Sequence, residues 1–91
     1  MRHSSENFRD RRIIESPRFS KELREIQKDE RRADEFIESA KLVLPSNPYI
    51  GQQLVPSHIW FLPISEAVGR AALYYRFDED VIEFLSIKAL K

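Results

Sequence analysis

A chain of 91 residues, 42 % hydrophobic and 33 % charged, suffices for one hydrophobic core and excludes two domains of ordinary size. Cysteine is absent, which excludes a disulfide framework and a zinc-thiolate site, and 15 basic residues balance 15 acidic ones, which argues against a protein that finds nucleic acid by bulk charge. No apolar run approaches the roughly 20 residues that span a bilayer, and the first ten residues lack the apolar stretch of a signal peptide, so a cytoplasmic protein without membrane contact is expected.

Residues 1–10, polar and charged apart from Phe8, read as a flexible N-terminal arm preceding a single domain over residues 11–91. Arg12-Ile13-Ile14-Glu15 is a short β-branched run ended by Ser16-Pro17, a pair that suits a helix N-cap and first helical position. Phe19, Leu23 and Ile26 then fall at i, i+4, i+7 and define one amphipathic helix. Asp29 is a candidate cap for a second helix, whose apolar positions Ala33, Phe36, Ile37, Ala40, Val43 and Leu44 run up to Pro45. The two should form an antiparallel hairpin. Residues 45–57 hold three prolines and Gly51 and read as a long irregular connection, tacked to the core through Tyr49, Ile50, Leu54 and Val55.

Three strands follow: His58 to Ile64, Arg70 to Phe77 and Val81 to Lys88, separated by a turn at residues 65–69 and the acidic turn Asp78-Glu79-Asp80. Alternation in the second places Arg70, Ala72, Tyr74 and Arg76 on one face and Leu73, Tyr75 and Phe77 on the other, the better core face. In the last strand both faces are partly apolar, so its parity stays ambiguous. Trp60 shares a face with Leu62 and Ile64 and reads as core. The expected class is α+β, in the order β-α-α-β-β-β, with the helical hairpin on one face of a small, mainly antiparallel sheet.

That order, with three phrases in the right places, resembles the RelE/ParE superfamily of bacterial type II toxin–antitoxin toxins, which includes plasmid-stabilisation proteins. The similarity spans roughly residues 12–88. Residues Ile14 to Phe19 resemble the family's strand running into an S-P-x-F helix start; Ile59 to Ile64 is similar to its L-W-E-L-R-I strand; Tyr75 to Leu85 is similar to its Y-R-x-D-x-x-x-I-x-x-L hairpin. The resemblance implies a growth-inhibiting toxin neutralised by a cognate antitoxin. It also implies either of two targets, messenger RNA in the ribosome for RelE-like members or DNA gyrase for ParE-like ones, and the fold does not choose between them.

Cleavage of RNA needs proton-transfer groups and cations around the scissile phosphate. The family's arginine in L-W-E-L-R-I corresponds to Pro63 here, the arginine three residues before the hairpin tyrosine to Ala72, and the tail after the last strand carries no aromatic acid–base group. Arg70 and Arg76 are the remaining cations on that face and the weak catalytic candidates. With Phe61, Pro63 and Tyr74 beside them, Phe61, Arg70, Tyr74 and Arg76 form the expected contact surface for a target or antitoxin. Residues 1–32 carry about +3 and residues 33–91 about −3, so a basic face is compatible with zero net charge. His58 has no carboxylate near it in sequence and reads as a surface histidine; the run 78–80 cannot converge on one ion and reads as a solvated turn. No metal or cofactor is expected.

The expectation is therefore a ParE-like toxin that binds a macromolecular target. The alternatives are a ribosome-dependent endoribonuclease with a rearranged site, using Arg70 and Arg76 as phosphate clamps, and a non-toxic binding module of the same fold. Homodimerisation stays open.

Overall fold

A computed structural model describes residues 11–64 and 70–90. The expected arm at residues 1–10 and the expected turn at 65–69 lie outside the described residues.

Strand β1 (Arg12–Glu15) gives way at once to helix α1 (Pro17–Ile26), because Ser16 caps the helix by accepting from the Phe19 amide at 3.0 Å and Pro17 occupies its first turn. Helix α2 (Glu30–Val43) starts in the same way, with Asp29 accepting from the Arg31 and Arg32 amides. Phe19, Leu23, Ala33 and Phe36 are buried, as their spacing requires.

Residues 45–57 are more ordered than an irregular loop. A 3-10 turn (Pro48–Ile50) leads into a two-residue strand β2 (Gln52–Gln53), which Gln52-Gln53 gives no reason to expect, since glutamine lacks β-branching and two residues show no alternation. The tacking residues also differ from expectation: Val55 is 81 % exposed and Tyr49 63 %, whereas Pro48 is buried. The anchor comes from the opposite side. Tyr75, fully buried, donates its hydroxyl to the Pro48 carbonyl at 2.6 Å and accepts from the Gly51 amide at 3.2 Å.

Strands β3 (Trp60–Ile64), β4 (Ala71–Phe77) and β5 (Val81–Ala89) form the antiparallel body of the sheet, whose order is β1-β5-β4-β3-β2. Only β1 is parallel to its neighbour, pairing with Val81–Phe84 of β5. The ambiguous parity of β5 is resolved by a bulge. Tyr75 pairs with Phe84 but Tyr74 pairs with Ser86, so Leu85 is an extra residue and the inward set changes from Ile82 and Phe84 to Ile87. Regular alternation past Phe84 would have turned Ser86 and Lys88 toward the helices instead.

Both helices lie on the face lined by Ala71, Leu73, Tyr75, Ile82, Phe84 and Ile87. Phe19 meets Phe84 edge-on, with centroids 5.3 Å apart, and this contact seats α1 on β5. Trp60 is half-buried at the margin of this core, in a three-ring cluster with Tyr49 and Phe77.

Candidate functional site

The opposite face of the sheet carries the residues that the sequence singles out. Phe61 pairs with Tyr74 across β3 and β4, and Pro63 pairs with Ala72, so the expected alignment of these strands holds. The Phe61 and Tyr74 rings lie 6.3 Å apart and tilted, each half-buried, a modest aromatic patch rather than a large exposed one. Pro63 is exposed. Ala72 is 2 % exposed and offers neither charge nor hydrogen bond at the place where the resemblance would put an arginine.

The two arginines differ in what they are free to do. Arg76 is directly opposite Glu83 in the β4–β5 ladder, and its Nε and Nη2 both lie 2.9 Å from one Glu83 oxygen. A guanidinium held by two donors on a neighbouring carboxylate is locally neutralised and would have to break that pair to hold a phosphate. Arg70 is exposed, just before β4, and makes no side-chain hydrogen bond or ion pair among the described residues. Among the described residues the β3–β4 part of this face thus holds one uncommitted cation, two tilted rings and one neutral ion pair, and exposed Arg12 on β1 adds a second cation without a side-chain partner.

The sequence does not mark Glu83 as the partner of Arg76. Counting outward from a turn at residues 78–80 sets Arg76 opposite Ile82, whereas the ladder closes with Phe77 opposite Ile82, a loop one residue longer, and so sets Arg76 opposite Glu83. The tip is locally closed: Asp78 accepts from the Asp80 amide at 2.8 Å and the Val81 amide at 2.9 Å. These two backbone donors, first Asp80 and then Val81, with the nearby Arg11 charge, hold the Asp78 carboxyl below its usual range despite slight desolvation. The turn is exposed, as expected, and among the described residues no group of three or more metal-ligating side chains converges. His58 is exposed ahead of β3.

A second surface lies on the helical side. A groove of about 170 Å³ between α2 and β3 is walled by Phe36, Ala40, Val43, Ile50, Leu62 and Ile64, and Leu42 stands 81 % exposed on α2. Nothing in the sequence separates these residues from core, since a helix stripe that faces a groove has the same spacing as one that is covered.

No family model matches the sequence, and no curated protein matches it. Solved structures do. A double arginine-to-alanine variant of the E. coli toxin RelE in the free state superimposes with a TM-score of 0.66 at 14 % identity, over 88 % of this chain and 83 % of that one. The intact E. coli RelBE toxin–antitoxin complex gives a TM-score of 0.65 at 16 % identity, over 89 % of this chain and 98 % of the matched chain. Among the described residues no helix is long and apolar enough to cross a membrane. Two helices on one face of a five-stranded, mostly antiparallel sheet, superimposing on RelE over most of both chains, make this the RelE/ParE-type toxin fold.

Proposed function

We propose that this chain is the toxin component of a type II toxin–antitoxin module, acting in the cytoplasm by binding a macromolecular target rather than by cutting RNA. The observation that carries the binding reading is the state of the open sheet face. With Ala72 and Pro63 at two of the family's cationic positions and Arg76 paired to Glu83, Arg70 is the one unpaired cation left on β3 and β4 among the described residues, with Arg12 two strands away on β1, and charge so sparse and spread is poorly placed to stabilise a cleavage transition state. The same face suits protein contact, where aromatic and arginine side chains such as Phe61, Tyr74 and Arg70 are the usual anchors.

A cognate antitoxin is the natural regulator, in keeping with the likeness to the toxin of the RelBE complex. The apolar α2–β3 groove is a surface on which an antitoxin segment would bury its own apolar side. DNA gyrase is the target in this reading.

Expression in a bacterium, alone and with Arg70→Ala or Tyr74→Ala, tests it. Growth arrest with gyrase-linked DNA damage, relieved by either substitution, is the expected result. Truncated messages at arrest would replace it with the endoribonuclease reading, and no arrest at all would leave a non-toxic binding module.

A further inference from the structure

Strand β5 runs from Val81 to Ala89, but its outer neighbour β1 covers only Val81–Phe84. Beyond Phe84 no strand among the described residues lies on the outer edge of β5, and a bare edge is a template for another chain. Here the edge is occupied by side chains instead. Ser16, already the cap of α1, donates its hydroxyl to the Leu85 carbonyl at 2.9 Å. Glu22, one helical turn and a half further on, reaches the same edge from α1: one carboxylate oxygen accepts from the Ile87 amide at 3.2 Å and from the Ser86 hydroxyl at 2.5 Å, and the other is held by the Lys88 ammonium. The Glu22 side chain is only 13 % exposed.

We propose that Glu22 is a built-in guard that occludes the C-terminal half of β5 as a strand-pairing edge, and that the partner it excludes is the same edge of a second copy of this chain. The carboxylate sits where the carbonyl of an added strand would sit, on the Ile87 N–H. Self-pairing is the arrangement that this stretch fits. An antiparallel pair centred on Ile87 would set Ile87 opposite Ile87, Lys88 opposite Ser86 and Ala89 opposite Leu85, with no like charges facing each other. The far side of the sheet is blocked by a different device. There, among the described residues, β2 covers only Trp60 and Phe61, and Pro63, two residues further along β3, has no N–H to give a docking strand. Each edge of the sheet thus carries a residue that denies it to another strand. The inference is independent of the toxin reading.

The test uses the full chain, as wild type, Glu22→Ala and Glu22→Gln. Sedimentation velocity over a roughly hundredfold range of concentration reports association, and amide exchange reports the edge. Glutamine keeps the acceptor oxygen and loses the charge, whereas alanine loses both. Glu22→Ala should shift from monomer to dimer as concentration rises, with the Ile87 amide protected in the dimer, while Glu22→Gln sediments as the wild type. A folded Glu22→Ala that sediments as the wild type at every concentration overturns the proposal, and so does a Glu22→Gln that associates as readily as Glu22→Ala. If Glu22→Ala does not fold, the wild type decides: an Ile87 amide exchanging about tenfold or more slowly than an open edge amide supports the guard, and one exchanging at the open rate overturns it.

Discussion

Removing a single oxygen, in Tyr75→Phe, should detach the 45–57 segment from the sheet while leaving the hydrophobic core intact. The hydroxyl is buried and serves two backbone groups at once, the Pro48 carbonyl at 2.6 Å and the Gly51 amide at 3.2 Å. Pro48 is itself buried, so its carbonyl would lose its donor where water does not easily replace it, at about 1–3 kcal/mol for a buried group left unsatisfied. Gly51 is only half-buried, and its amide can turn to water at smaller cost. Together the loss should be about 2 kcal/mol, which for a domain of this size lowers Tm by roughly 8–16 °C. Urea unfolding followed by fluorescence of the lone Trp60, which packs against Tyr49 of that segment, measures it as a lower midpoint at unchanged slope. Gly51→Ala probes the same junction from the other side. A methyl there would lie 2.3 Å from the Tyr75 hydroxyl and 2.6 Å from the Phe61 carbonyl, and a backbone carbonyl inside β3 cannot step aside. The Gly51→Ala loss should be about 1–3 kcal/mol, and the two substitutions together should cost less than their sum because they break the same hydrogen bond. A Tyr75→Phe loss below about 0.5 kcal/mol, the range of an ordinary surface change, would refute the account of how the segment is held.

Three further outcomes follow from the geometry. Ser16→Ala removes both the α1 cap and the donor to the Leu85 carbonyl, and should cost about 1–2 kcal/mol in chemical denaturation, with Ser16→Thr retaining most of it. Burial alone would push the Glu22 carboxyl up, but hydrogen bonds from Lys88, Ser86 and Ile87 and the Lys88 charge outweigh it and hold Glu22 below its usual 4.5. A carboxyl lowered in the folded state contributes stability above its unfolded value that is lost as pH falls through the folded one. The denaturation midpoint should therefore drop in acid below about 4.5, with a shallower fall in Glu22→Gln. Deleting Leu85 should be tolerated, since it removes the bulge and leaves Ile82, Phe84 and Ile87 facing the helices, whereas deleting Glu83 sets Ile82 and Phe84 against each other's face. A two-dimensional NMR spectrum of each deletion variant reads this directly, as a dispersed spectrum for the first and a collapsed one for the second.

The elements that the sequence determined are those whose causes are local. Ser16-Pro17 and Asp29 start the helices through bonds to amides two or three residues away, and the alternation of Leu73, Tyr75 and Phe77 against Ala72, Tyr74 and Arg76 chooses the core face of β4 from consecutive residues. The open face with Phe61 beside Tyr74 followed from that parity, and the RelE/ParE likeness of the phrases agrees with the fold observed. What only tertiary structure decided depends on partners distant in the chain. The bulge at Leu85 exists because Ile87 must face Leu73 in the same layer as Phe84, a demand set by strands and helices together and not by the apolar pattern of β5. Arg76 is legible as a surface cation but becomes a neutral pair only opposite Glu83, and Glu22 looks like any glutamate on a wet helix face until α1 lies along an edge that β1 is too short to cover. A hydrogen bond across more than sixty residues leaves no periodic trace, because nothing in the intervening sequence has to change for it to form.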